Sequence, residues 1–132
     1  MFLIHTCVRP SNIHGMGVFA AGDIPADTLI WIYDEKVDWK MSAEDLARFP
    51  EPFQSRMRDY CYRLPDGDYV FCGDNAKYMN HSTTPNCDDS GDRTVTLRRI
   101  RAGEELTCDY RSFDLDSIAT PVGWLSTAPQ AP

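Results

Sequence analysis

Lys77-Tyr78-Met79-Asn80-His81-Ser82-Thr83-Thr84-Pro85-Asn86 crowds hydrogen-bonding side chains into a short run bracketed by aromatic and apolar residues. Taken alone it reads as an Asx-type turn holding a satisfied histidine. Downstream, Gly103-Glu104-Glu105-Leu106-Thr107-Cys108-Asp109-Tyr110 reads as a turn feeding a strand that ends on a tyrosine. Upstream lies Gly15-Met16-Gly17. It lacks the third glycine and following helix of a nucleotide loop, so by itself it is an ordinary turn.

Between these segments the pattern is one of short strands. Residues 2–8 alternate loosely and end at Arg9-Pro10, residues 18–20 and 28–33 are rich in aromatic and β-branched side chains, and residues 94–97 read the same way. Asp66-Gly67 predicts a hairpin between residues 60–64 and 69–72. Ser42 with Asp45 resembles a capping arrangement opening a helix through Arg48, which Pro50 and Pro52 stop, and residues 53–62 hold another helical turn or two. Asp88-Asp89-Ser90-Gly91-Asp92 lacks the spacing and terminal glutamate of a calcium loop and reads as a solvated hairpin turn. From Asp116 the pattern fades, and residues 127–132 are expected to be disordered.

The 132 residues amount to one domain, large enough to fold without a disulfide or metal staple. No run approaches the ~20 apolar residues of a membrane span, and the N-terminal stretch lacks the basic start of a signal peptide, so a cytoplasmic location and no membrane partner are expected. A net charge of -7 argues against direct nucleic-acid binding and suits a basic peptide, although such a charge also simply keeps a protein soluble. Cys7, Cys61, Cys72, Cys87 and Cys108 form no Cys-x-x-Cys pair, and His5, His14 and His81 show no ligand spacing. The cysteines read as small buried hydrophobes, with no metal site.

In this order, Gly-x-Gly, Asn-His-Ser-x-x-Pro-Asn and Gly-Glu-Glu-Leu-Thr-x-Asp-Tyr closely resemble the SET domain of lysine methyltransferases, over about residues 15–110. The resemblance implies a mostly β fold, the β-clip, with one or two short helices and a C-terminal pseudoknot. It places a SET domain at residues 1–115 and a tail, partly disordered, at 116–132. It also implies an S-adenosylmethionine-dependent transfer of methyl groups to lysine side chains of a basic protein or peptide. The family binds cofactor and peptide on opposite faces, joined by a narrow lysine channel. By that resemblance Gly15, Met16, Gly17, Tyr78, Asn80 and His81 hold the cofactor, Tyr110 stands at the methyl-transfer centre, and Cys108 lines the channel.

This sequence departs from the family pattern in four places. Thr83 stands where many relatives have a zinc-ligating cysteine, and no cysteine follows Cys108 in these 132 residues, so no zinc-binding tail is expected. Trp31-Ile32-Tyr33-Asp34-Glu35 replaces a common Glu-Tyr-x-Gly-Glu stretch, and the insert between Met41 and Arg63 is short. Cys108 replaces a Phe or Tyr, which would widen the channel and favour di- or trimethyl-lysine unless Tyr69, Phe71 or Phe113 fills the gap. Phe113 and Trp124 are the aromatics available to cover an adenine, and a homodimer is another way to complete the site. The altered motif, Trp31 and Asp34 in particular, leaves a catalytically inactive SET-fold binding module as the alternative.

Overall fold

The computed structural model describes residues 1–119. Strands β1 (Thr6–Pro10) and β2 (Met16–Ala20) form an antiparallel hairpin whose register pairs Val8 with Val18, so the loop between them carries the first glycine motif. β3 (Leu29–Ile32) leads to β4 (Trp39–Met41), α1 (Ala43–Leu46) and α2 (Glu51–Tyr60). Ser42 caps α1 as expected, its hydroxyl accepting the Asp45 N–H at 3.1 Å. α2 is longer than expected because Pro50 and Pro52 both end α1 and suit the first turn of a new helix.

The hairpin foreseen at Asp66-Gly67 is β5 (Cys61–Arg63) paired with β6 (Tyr69–Phe71), and β4 lies on the other side of β6. Gly67 has φ +94°, a conformation that favours glycine. β7 (Asn80–His81), β8 (Cys87–Asp89), β9 (Arg93–Thr96) and β10 (Thr107–Cys108) follow, then α3 (Leu115–Ala119). β9 sits between β3 and β8, while β10 pairs in parallel with β7. Thus the C-terminal motif lies beside the Asn80–His81 strand, where the resemblance put the pseudoknot.

Two expected strand boundaries move, each because the chain changes partner. Residues 2–5 leave the first strand: Phe2 bridges Trp31 and the Leu3 N–H donates to the Ile30 carbonyl at 2.7 Å. The last strand shortens because Glu105 and Leu106 still pair with Phe19 and Val18 of β2 before the chain crosses to β7. The short helix α3 then closes the described chain. Its first turn is held by Asp114, which accepts the Ser117 N–H at 3.2 Å and the Arg63 N–H at 2.8 Å. Val18, Ile30, Ile100 and Leu106 form the fully buried centre of the core, and Val70 of β6 is fully buried as well. Among the described residues no helix is long and apolar enough to cross a membrane.

Candidate active site

Asn80 is the tie on which the site is built. Its buried carboxamide donates to the carbonyls of His14 (3.0 Å) and Met16 (3.1 Å) and to Glu105 Oε1 (3.1 Å). One side chain thereby joins the β1–β2 loop, β7 and the C-terminal motif. Gly15 takes φ +48° in that loop. Gly17 is closed to any side chain within the fold: a Cβ there would lie 1.8 Å from Glu105 Oε1. Gly17→Ala should therefore push Glu105 off Asn80 and cost about 1–3 kcal/mol, as overpacking does. Urea unfolding measures it, and an unchanged midpoint would show that Glu105 swings aside freely.

Asn86 binds the crossing strand as a neighbouring backbone would. Its Oδ1 accepts the Thr107 N–H at 2.9 Å, its Nδ2 donates to the Glu105 carbonyl at 2.8 Å, and its own N–H donates to Thr107 Oγ1 at 3.2 Å. Tyr110 then closes the arrangement. Its N–H donates to His81 Nδ1 at 3.1 Å and its hydroxyl to the Met79 carbonyl. An accepting Nδ1 carries no proton, and burial lowers the His81 pKa, so the ring is neutral. Burial pushes the Tyr110 hydroxyl well above its ordinary range, so it too stays neutral.

Two cavities adjoin at Tyr110. The larger is an open cleft of ≈ 630 Å³ whose walls include His14, Gly15, Met16, Arg58, Tyr78 and Asn80. The smaller, ≈ 80 Å³, is walled by Trp31, Tyr62, Asp89, Thr94, Cys108 and Phe113 among others. Asp59, Tyr60, Cys61, Lys77, Tyr110 and Asp114 line both. The end of α2 thus supplies much of the junction, although no side chain of that helix is buried.

The structure brings Gly15, Met16, Tyr78 and Asn80 to the cleft, Cys108 to the narrow cavity and Tyr110 to both. Gly17 and His81 lie behind this surface, both buried. Tyr69 and Phe71, expected in the channel, face a separate apolar cavity of ≈ 20 Å³ with Trp39, Met41 and Leu46. Strand alternation explains the difference: Val70 of β6 points into the core, so its two neighbours point the other way. Phe113, expected over an adenine, instead walls the narrow cavity, edge-on to Tyr62 at 5.2 Å and Tyr110 at 6.1 Å. It shares that cavity with Cys108 and Tyr62. Trp124 lies outside the described residues, as do residues 127–132. Trp31 and Asp34 of the altered motif have structural employment: Trp31 is buried in β3, and Asp34 accepts the Lys36 N–H at 2.8 Å.

Tyr62, Asn86, Glu105 and Asp89 were not singled out by sequence as site residues. Asn86 sat inside a quoted motif, while Asp89 read as part of a solvated turn. Its carboxylate is in fact largely buried, which raises its pKa to about 6 despite hydrogen bonds from the Gly91 N–H (2.7 Å) and Thr94 Oγ1 (3.1 Å). A carboxyl raised in the native state holds more protons than the unfolded chain between pH 3.8 and about 6, so its contribution to stability falls as pH rises through that window. That gap corresponds to roughly 3 kcal/mol. Asp89→Asn should accordingly match the unsubstituted protein at pH 4 and exceed it above pH 6. Urea unfolding at both pH values checks this, and equal stability throughout would contradict the buried charge.

Among the described residues no group of three His, Cys, Asp or Glu side chains is placed to hold a metal. Cys72, Cys87 and Cys108 are buried free thiols, all pushed up in pKa by burial.

Comparison with known proteins agrees with this architecture. The SET domain family model matches residues 15–111. A histone-lysine N-methyltransferase of Mycosarcoma maydis described as H3 lysine-4 specific is 34% identical over 112 residues, covering 76% of this chain and 8% of the relative. Histone-lysine N-methyltransferase trr of Drosophila melanogaster is 33% identical, covering 90% of this chain and 5% of its own length. The chain thus spans less than a tenth of these relatives. Among solved structures, a humanized mutant of Chaetomium thermophilum Polycomb Repressive Complex 2 gives a TM-score of 0.63 at 22% identity, over 87% of this chain and 16% of that one. A putative histone methyltransferase of Plasmodium falciparum gives 0.58 at 18% identity, over 81% and 93%. The chain belongs to the SET-domain family.

Proposed function

We propose that this domain transfers methyl groups from S-adenosylmethionine to the side-chain amine of lysine in a basic protein. The observation that carries the reading is Tyr110, which stands on the wall common to an open cleft and a narrow, aromatic-lined cavity. A cleft of ≈ 630 Å³ suits a nucleoside-sized ligand. The turn at Gly15 and Met16 presents backbone to it, the Tyr78 ring offers a stacking face, and Arg58 and Lys77 offer cations for a carboxylate. When bound, the cofactor supplies a methyl group activated by a sulfonium.

The chain's own residues then align and exclude. Tyr62, Phe113 and Trp31 make an apolar wall that disfavours a charged amine and keeps water out. The Tyr110 hydroxyl, held by the Met79 carbonyl, turns its lone pairs to orient the amine and the polarised methyl group through weak C–H···O contacts. The relatives' names and the net charge of -7 support a histone-like basic tail as substrate. Calorimetric titration should show binding of S-adenosylmethionine and S-adenosylhomocysteine, and radiolabelled methyl transfer to histones, ribosomal proteins and nucleoid proteins should label at least one. A protein that binds neither ligand and labels none contradicts the reading. We expect di- or trimethyl-lysine, because Cys108 is small; strictly monomethylated product after long incubation would show that Tyr62 and Phe113 fill the space.

A further inference from the structure

The narrow cavity holds a carboxylate that the mechanism so far leaves idle. Its part not shared with the cleft is walled by Trp31, Tyr62, Thr94, Cys108, Phe113 and Asp89, together with other apolar residues. Among the described residues, Asp89 is the one acidic residue lining that inner part; Asp59 and Asp114 lie where the cavities join. Each of its oxygens accepts one hydrogen bond, from the Gly91 N–H and from Thr94 Oγ1, and each keeps a lone pair for another donor. No cation pairs with it among the described residues. Trp31 Nε1, buried in the same walls, has no partner among the described residues either.

A carboxylate kept in an apolar cavity without a counter-charge is costly. It makes sense where a cation arrives from outside. We propose that Asp89 is the group that receives the substrate's lysine ammonium in the channel and takes its proton before methyl transfer. This rests on the methyltransferase reading above and deepens it.

The step balances. The ammonium, held by Asp89, gives one proton to a carboxylate oxygen and becomes a neutral amine with a free lone pair. That pair forms the N–C bond to the methyl group as the C–S bond breaks, its electrons passing to sulfur. The products are an N-methyl ammonium, a neutral thioether and a protonated Asp89, which returns its proton to water. Burial favours this transfer from both sides, because an ammonium and a carboxylate in an apolar channel each lose more hydration than the neutral pair. The carboxylate also acts within reach of the groups around Tyr110: its charge helps push the Tyr62, Cys108 and Tyr110 groups to higher pKa.

The other titratable and charged groups facing Asp89 are Asp88 and Asp92 of its own hairpin, Tyr62 of β5, Cys72, Cys87, Cys108 and Tyr110, with Asp59, Lys77 and Asp114 at the junction. The cysteines and tyrosines that are raised by burial stay neutral near pH 6. His81, whose Nδ1 accepts the Tyr110 N–H behind this wall, is lowered by burial from the ordinary imidazole range, so the limb is assigned to Asp89 by its disappearance in Asp89→Asn, which leaves His81 in place.

The test compares the unsubstituted protein, Asp89→Asn and Tyr110→Phe on a lysine-containing histone H3 tail peptide with labelled S-adenosylmethionine, from pH 5 to pH 10. Calorimetry with S-adenosylhomocysteine establishes that each variant is folded. For the unsubstituted protein kcat/KM should rise through a limb near pH 6 and then level. Asp89→Asn should lose about 10²-fold or more at pH 7, as loss of a general base does, and should instead climb toward the pKa of free lysine near 10. Tyr110→Phe should lower the rate at every pH without moving the limb. Equal rates and equal pH profiles for Asp89→Asn and the unsubstituted protein would overturn the role of Asp89 while leaving the methyltransferase reading in place. No transfer by the unsubstituted protein would overturn both.

Discussion

Tyr110→Phe should abolish nearly all methyl transfer while leaving a folded protein that binds S-adenosylhomocysteine as before. The substitution removes one hydroxyl, and the ring keeps its packing against His81 at 5.4 Å and Phe113 at 6.1 Å. The lost bond to the Met79 carbonyl should cost only about 1 kcal/mol of stability. The chemistry loses more, because the hydroxyl is fixed on the wall between the two cavities and has no reorganisation to undergo. A single positioned group of this kind accounts for about 10²–10³-fold in rate. Single-turnover rates at saturating peptide measure the effect on chemistry alone. A variant as fast as the unsubstituted protein would make Tyr110 a packing residue.

Asn80→Ala should have the largest structural effect of any single change in the site. It strips donors from two backbone carbonyls, those of His14 and Met16, and from the Glu105 carboxylate. Leaving such groups short of partners costs about 1–3 kcal/mol each where they are buried, so a total of roughly 3–5 kcal/mol is expected. That is a large part of the ~5–15 kcal/mol that holds a domain together. The β1–β2 loop would be released first, and with it the cleft wall at Gly15 and Met16. Urea unfolding and cofactor calorimetry together check this. A loss under ~1 kcal/mol with unchanged affinity would mean the loop is held by other contacts.

The polar motifs were legible because their side chains do the work of backbone. Asn80, His81 and Asn86 each make hydrogen bonds to main-chain atoms of a segment distant in sequence, and such roles leave little choice of residue type. The Asp66-Gly67 hairpin and the Ser42 cap were legible for the same local reason. What escaped depends on which face a side chain takes after folding. Tyr69 and Phe71 are aromatic, yet strand alternation turns them away from the cavity. Phe113 follows a 3-10 turn over Tyr110–Ser112 that swings it toward Tyr62, which no periodicity announces. Asp89 sits in an acidic run that looks solvated, and only the packing of β5, β9 and β10 around it shows otherwise. Glu105 gave no signal beyond its motif, since the reason for Gly17 is a contact across the fold.

The departures from the family pattern also take physical form. Trp31 fills a core position in β3 and walls the narrow cavity, so the altered stretch remains compatible with the site. The small Cys108 lines the same narrow cavity as Tyr62 and Phe113.

The most direct test of the account is tandem mass spectrometry of a lysine-containing histone H3 tail peptide after incubation with the protein and S-adenosylmethionine bearing a deuterated methyl group. The account predicts one or more labelled methyl groups on a lysine Nζ, about 10²-fold or more less abundant in a parallel reaction with Tyr110→Phe. A peptide that stays unlabelled, from a protein that also gives no heat with the cofactor, would contradict it.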